Sequence, residues 1–413
     1  MLIRRNVVLS EKGGMPDMRA LGNVAFMTLI CLIAACATQP DVPMEFNAAM
    51  IRLSGQVMTQ LRGNLPIMQR VTTTVAGPSD QVHVVIDPFI DGDTGDVNQT
   101  SERIATIFTQ TIGGNGYRVQ PLSNESLHSA RFIVVGTIRH ENYSGMSRKL
   151  YRVYASVVDI ASGDIMANAK VWVANAKLDD APVTLYRDSP MYLKDRVVQR
   201  QLDAAQTSPG PGRATPYVRT LSAGTTTSDG AEALGRGDYQ TATRLFSNSL
   251  SQTDGRTMKN YAGLYEAYYR SNQKEAAMQA FSDLFALGVE NDNITIRFLF
   301  AVDSTEFRKN GDIIAQYDVW LRQIARYLAA NDQCMTVVGH TSHTGTEQHN
   351  LALSARRAQR IRDILTSYSR AAGLRLDSIG RGFEENIVGS GTDDDQDAVD
   401  RRVEFRKRAC GLA

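Results

Sequence analysis

The sequence predicts a multidomain α/β (α+β) chain: an N-terminal mixed-sheet α/β domain, a short helical-repeat segment and a C-terminal βαβαβ sandwich of two layers. Three observations predict it. Runs such as QVHVVIDPFI and FIVVGTI in the first half, and ITIRFLF and MTVVG in the last third, have strand periodicity and alternate with amphipathic helical stretches. Between them, the pair Ala242 and Phe246 recurs as Ala277 and Phe281, 35 residues on. A length of 413 residues suits two or three domains at about 150 residues each.

Composition narrows the function. Hydrophobic content of 43% with 22% charged residues excludes a disordered or collagen-like chain. Forty-five basic residues against 44 acidic ones leave +1, which argues against coating nucleic acid through bulk charge. Only Leu21 to Ala35 is apolar enough to enter a bilayer, which excludes a polytopic membrane protein. At about 15 residues it is short for a span and right for the core of an export signal. Arg19 supplies the positive flank if translation starts at Met15 or Met18.

The segment ends Leu32-Ile33-Ala34-Ala35-Cys36 and is followed by a polar tether. It resembles the lipobox of bacterial lipoproteins. The resemblance implies cleavage before Cys36, diacylation of its thiol, and, with Ala37 rather than Asp next, an outer-membrane anchor facing the periplasm. Residues 1–36 are thus read as signal and lipid site, and 37–45 as tether.

The next domain is expected over 46–203. Met50, Leu53, Val57 and Leu61 have helical spacing, and Gln81 to Ile90 is a strand closed by Asp87-Pro88. Ile104, Ile107, Phe108 and Ile112 give a second helix, ended by Gly113-Gly114. Phe132 to Ile138 is a buried strand, and Leu150 to Ile160 with Ile165 to Val173 form a hairpin turned at Ala161 to Asp164. This order resembles the periplasmic domain shared by curli-secretion lipoproteins, flagellar lipoproteins and lipoprotein activators of penicillin-binding proteins. The resemblance implies a scaffold that docks an envelope protein or self-associates.

Residues 204–229, rich in Pro, Gly, Ser and Thr, read as a linker. Residues 230–289, which carry the Ala–Phe recurrence, resemble one and a half to two tetratricopeptide-type hairpins. Two hairpins are few for a peptide groove, so packing on neighbours is the favoured role.

The last domain is expected over 290–413. Ile294 to Phe300 reads as a strand, Tyr317 to Leu328 as a helix, and Met335 to Gly339 as a strand. Leu351 to Tyr368 follows as a helix, with strands at Leu376 to Ile379 and Arg402 to Lys407. Across it run Gly339-His340-Thr341-Ser342-His343-Thr344-Gly345, Asn350, Leu353-Ser354-Ala355-Arg356-Arg357-Ala358, Gly380-Arg381-Gly382 and Asp400-Arg401-Arg402-Val403-Glu404-Phe405. This pattern resembles the OmpA-like peptidoglycan-binding domain. The resemblance implies a pocket that grips the diaminopimelate of a stem peptide, a carboxylate meeting its ammonium and a guanidinium forking its carboxylate. Arg357 fills the Arg position, with Thr341, Gly345, Asn350, Leu353 and Ser354 around it and Arg401 and Arg402 in the closing motif. Ser342 stands where the family has Asp. Its hydroxyl accepts a hydrogen bond but supplies no ion pair. Asp400 stands where the family has Asn, and its carboxylate is the one candidate to compensate.

No cofactor or metal is expected. His340, His343 and His349 have no strong zinc spacing, and Asp393-Asp394-Asp395 reads as a solvated loop. No nucleophile, phosphate-loop or metalloprotease motif is present, so catalytic residues are expected to be none. Cys334 begins one strand and Cys410 ends another. If those strands are antiparallel neighbours the two thiols meet, and a disulfide is expected in an exported chain. The leading expectation is an outer-membrane lipoprotein that tethers the envelope to peptidoglycan. The alternative is an assembly or regulatory factor of an envelope machine whose OmpA-like domain docks protein.

Overall fold

The computed structural model describes residues 41–66, 81–113, 116–144, 146, 149–175, 178–301, 303–307, 311–387, 391 and 399–411, without the side chains of 311–314. The export signal, Cys36 and Asp393 to Asp395 lie outside them.

Helix α1 (Phe46–Asn64) is capped by the Glu45 carboxylate and buries Met50, Leu53, Val57 and Leu61 on one stripe. It lies on a mixed sheet of β1 (Val82–Ile86), β2 (Ile90–Asp91), β3 (Tyr117–Pro121), β4 (Phe132–Asn142), β5 (Lys149–Asp159) and β6 (Ile165–Val173). The strand order is β3-β1-β4-β5-β6, with β2 paired to β4. β1 is parallel to both β3 and β4 (Val84 opposite Val119 and Phe132), and β4, β5 and β6 run antiparallel. Gly136 of β4 has no side chain because the Phe89 ring occupies that place, 2.0 Å from where a Cβ would sit.

Two crossovers wind this sheet in opposite senses. Helix α2 (Gln99–Gly113) joins β1 to β3 and packs Ile104, Phe108 and Ile112 on the face carrying Val84, Ile86 and Val134. Helix α3 (Asn124–Ser129) joins β3 to β4 and lays Leu127 against the opposite face with Val85, Ile133 and Val135.

The segment 204–229, expected as a linker, is folded. Helix α4 (Arg196–Gln206) runs into it, a short helix covers Thr215–Val218, and α5 (Leu221–Gly235) begins inside it. Ala204, Ala205, Tyr217 and Leu221 are buried against the sheet. The threonines that suggested a linker satisfy their hydroxyls within the helix: Thr225 Oγ1 donates to Ser222 O (2.9 Å) and Thr227 Oγ1 to Ala223 O (2.9 Å). Helices α6 (Tyr239–Leu250), α7 (Met258–Arg270) and α8 (Lys274–Glu290) complete two hairpins, with Ala242, Phe246, Ala277 and Phe281 all buried.

The last region has a sheet ordered β7-β10-β8-β9, from β7 (Thr295–Ile296), β8 (Cys334–Gly339), β9 (Leu376–Gly380) and β10 (Val403–Arg408). Helices α9 (Gly311–Ala330) and α10 (Glu347–Tyr368) pack on it through Ile324, Leu328, Ile361 and Leu365. The strand expected over 294–300 shrinks to two residues. Arg297 N donates instead to Pro190 O (3.0 Å), and Phe298 and Phe300 leave the sheet to pack with Phe307 and Tyr317. One apolar core runs from Ile90 and Leu185 through Phe246 and Phe281 to Trp320 and Phe405, so the helical segment and the last sheet are packed as one body.

Candidate functional site

The site begins where β8 ends. A Cβ on Gly339 would lie 2.1 Å from Ser354 O, so glycine lets the strand end press on the second turn of α10. From there residues 340–346 leave the sheet and are fixed at several points. Thr341 N donates to Gly382 O (2.8 Å), and Gly382 N donates to Ser354 Oγ (2.8 Å). Gly345 takes the left-handed backbone (φ 89°), and Thr346 caps α10, its hydroxyl accepting from His349 N (3.3 Å). Asn350 is buried and donates to Thr344 O (2.6 Å) and Thr346 O (3.1 Å), tying the loop to the helix.

Arg357, two turns along α10, is 2% exposed. Its Nε donates to Ser304 O (2.9 Å), its Nη2 donates to Ala301 O (3.0 Å), and its guanidinium lies 5.0 Å from the Phe300 ring centre. Ser342 is buried and its hydroxyl accepts from Thr344 Oγ1 (3.3 Å). The buried Thr341 hydroxyl has no hydrogen-bond partner among the described residues. Leu353 is buried on the same helix. On the rim, the Asn386 amide, oriented to satisfy both ends, donates to Thr341 O (2.9 Å) and accepts from His343 N (3.2 Å). The His343 ring stands edge-on to Phe383 at 4.2 Å.

The closing motif forms a separate ion network. Asp400 is fully buried and its Oδ1 accepts from Ile387 N (2.6 Å), 4.0 Å from Arg402. The carboxylate that stood as compensation for Ser342 is therefore engaged in holding a loop. Arg402 pairs with Glu404 (2.7 Å), and Arg406 bridges Glu385 and Glu404. Arg401 is half-buried. His340, fully buried, brings Nε2 to 3.5 Å from Glu404. Burial would raise the Glu404 carboxyl, but His340, Arg402 and Arg406 hold it well below the usual carboxylate range. Arg406 likewise holds Glu385 down. His340, Glu385 and Glu404 place ligand-type atoms within 4.8 Å of one another. Two guanidiniums already neutralise those carboxylates, so the group fits an ion-pair network better than a cation.

At this end of β8, Thr341 and Ser354 are linked through Gly382, and Ser342 and Asn350 through Thr344, with Gly345 turning the loop, while Leu353 is buried on the same helix and Arg357 lies further along it against Phe300, Ala301 and Ser304. Cys334 and Cys410 form a disulfide at the other end, where β8 and β10 are antiparallel and Arg408 lies opposite Cys334. Two features had no signal in the sequence. Ala301 and Ser304 supply the carbonyls that hold Arg357. Lys149, from β5 of the first sheet, donates to Asn386 O and Ile387 O (both 3.0 Å) on the rim. Among the described residues no helix is long and apolar enough to cross a membrane.

Residues 299–400 match the OmpA family. The Peptidoglycan-associated lipoprotein of Mesorhizobium japonicum is 36% identical over 97 residues, 23% of this chain and 54% of that protein. That of Agrobacterium fabrum is 35% identical over 97 residues, 51% of its length, so the chain spans about half the length of these curated relatives. Outer membrane porin F of Pseudomonas aeruginosa is 38% identical over 74 residues, 18% of this chain and 21% of that protein. Among solved structures, the cell wall anchor of the T6SS from Pseudomonas aeruginosa is 26% identical, covering 30% of this chain and 94% of that one with a TM-score of 0.24. With the motifs of β8, α10 and β10 in place, residues 299–400 are a domain of the OmpA family at the C-terminal end of a longer mixed α/β chain.

Proposed function

We propose that this protein is a non-enzymatic tether between the outer membrane and peptidoglycan. Acyl chains on Cys36 hold it to the membrane on the periplasmic side, and the OmpA family domain takes a diaminopimelate-bearing stem peptide. The observation that carries the reading is Arg357: a buried guanidinium on α10, fixed by two carbonyls and an aromatic ring. A guanidinium held in this way loses little rotamer freedom when it meets a carboxylate. The hydroxyls of Thr341 and Ser342 receive the ammonium end, while Gly345, Asn350, Leu353 and Ser354 shape the wall. Arg401 and Arg402 belong to the network beneath. Two modest attachments on one chain raise the effective concentration of the α/β domain between membrane and wall. The names of the curated relatives support the peptidoglycan partner.

The test is co-sedimentation of lipid-free chain (residues 37–413) with isolated sacculi. Wild type should pellet with the wall, Arg357→Lys should weaken binding at least tenfold, and Ser342→Asp should strengthen it. Absence of wild-type binding sinks the reading. A second reading, an assembly or regulatory factor whose OmpA family domain docks protein, is favoured by Ser342, which leaves the ammonium without a carboxylate.

A further inference from the structure

A second cleft lies far along the chain from this pocket. It opens at the carboxyl ends of the parallel strands β1 and β3, where Asp87 and Leu122 each follow a strand directly. The chain leaves β1 toward α2 on one face and leaves β3 toward α3 on the other, so the strand ends part there and a crevice forms. Helices α5 and α7 lie over it, and the enclosed space measures about 90 Å3. At about 10–15 Å3 for each water-sized group, that is space for several such groups.

The walls are mostly apolar, with Ile90, Leu185 and Leu221 among them, and three charged residues line them: Asp254, paired with Arg200 (2.8 Å), and Asp87 and Lys259. Asp87 accepts a hydrogen bond from Tyr217 Oη (2.7 Å). Lys259 stands over the Tyr186 ring at 5.6 Å and meets Asp87 only through space. Burial pushes Asp87 up to about 6, against the pull of Tyr217 and Lys259. Burial would depress the Lys259 ammonium, yet Tyr186, Asp87 and Asp195 hold it above the ordinary lysine value. A cation and an anion facing one apolar space, each lacking a direct ionic partner in the other, match a ligand of the reverse polarity at two ends.

We propose that this cleft binds a small zwitterion with an apolar side chain, an α-amino acid in chemical class, its carboxylate on Lys259 and its ammonium on Asp87. The site is independent of wall binding. Gly224 of α5 lines the cleft, and a Cβ there meets nothing within 4 Å. Gly224→Leu therefore fills the space while raising helix propensity, and the fold is retained.

The experiment is isothermal titration of lipid-free chain with three probes: L-leucine, isocaproate, which lacks the amine, and isoamylamine, which lacks the carboxylate. L-leucine should bind at least tenfold more tightly than either half-probe. Lys259→Met and Asp87→Asn should each cost about tenfold to a hundredfold, as charged hydrogen bonds do. Gly224→Leu should abolish binding with sacculus sedimentation unchanged. No binding of any probe overturns the proposal. Equal binding of isocaproate and L-leucine also overturns it, by reducing the cleft to an anion site. Binding that survives Gly224→Leu places the ligand elsewhere.

Discussion

The site at the end of β8 and the cleft at the ends of β1 and β3 are built in opposite ways. The one at the end of β8 is made by a short run of chain: strand, loop and the first turns of α10, from Gly339 to Arg357. Its polar groups are tied partly within that run, as Asn350 to Thr344, and partly from outside it, as Gly382 to Ser354 and Arg357 to Ala301 and Ser304, and a disulfide closes the far end of the same strand. The cleft at the ends of β1 and β3 collects Asp87, Tyr186, Tyr217 and Lys259 from distant parts of the sequence, joined by long-range contacts such as Tyr217 to Asp87 and by the packing of helices on the sheet. The first is a property of a motif, the second of a topology. The same contrast sets how each should respond when disturbed.

The largest effect is expected at the disulfide. Cys334 and Cys410 are 76 residues apart, and in the chain-entropy treatment a loop of that length is worth about 4 kcal/mol. Cys334→Ala with Cys410→Ala should lower the melting temperature by several degrees. Because one apolar core runs from Ile90 to Phe405, the loss should appear as a single cooperative transition that carries both pockets with it. A split into two transitions, only one of them moving, would show that the pockets melt separately.

The next contrast uses two glycines. Gly339→Ala drives a Cβ to within 2.1 Å of a backbone oxygen, where no side chain can yield, and should cost about 2–3 kcal/mol. Gly224→Ala places a Cβ in open space on a helix and should stabilise by about 0.5–1 kcal/mol. Denaturant midpoints measure both signs.

Acid and base should also separate the pockets. Glu404 and Glu385 are held low, so the stability they contribute is present above the unfolded carboxylate value and is lost as pH falls below about 4. Asp87 is held high, near 6, so its contribution is present below the unfolded value and is lost as pH rises from about 4 through 6. A raised carboxyl of this size is worth about 2–3 kcal/mol over that window. Asp87→Asn should flatten the fall in stability between pH 4 and 7 and leave the acid limb unchanged, while Glu404→Gln should move the acid limb. An Asp87→Asn chain whose pH profile matches wild type would remove the buried-acid account of the cleft.

This difference also explains what could be read from sequence. Thr341, Ser342, Asn350, Ser354 and Arg357 are singled out by the resemblance to the OmpA-like domain, a motif carried by one strand, one loop and one helix that follow each other along the chain. Strand β4 was legible as a continuous apolar run, and β5 with β6 as a hairpin. The cleft was not, since no spacing relates residue 87 to residue 259 until the sheet is wound and the helices are laid over it. The linker expected over 204–229 failed on composition: Ser, Thr, Pro and Gly suggest solvent, but the hydroxyls of Thr225 and Thr227 turn back to helix carbonyls and allow burial. The strand over 294–300 failed because alternation cannot tell a sheet face from an aromatic cluster around Tyr317 and Trp320. Strand β3 passed unseen because Tyr117–Pro121 is a polar edge strand, the kind that tolerates a terminal proline.

The smallest expected effect tests whether the two halves of the contrast touch. Lys149 belongs to the first sheet, yet its ammonium is shared between two carbonyls of the rim, at Asn386 and Ile387, and Asn386 in turn holds Thr341 and His343. The α/β domain therefore reaches the edge of the pocket in which wall binding is proposed. Removing the ammonium leaves two carbonyls near solvent, which water can satisfy, so the cost to folding should be under about 1 kcal/mol. The cost to binding should be larger in proportion, because the rim loses its fixed position: Lys149→Ala should weaken sacculus sedimentation about threefold to tenfold with an unchanged melting temperature. Lys149→Arg, which keeps charge and donors, should recover most of it. Wild-type binding by Lys149→Ala would mean that the first sheet is a spacer to the pocket rather than part of its wall, and the motif alone would then set the affinity.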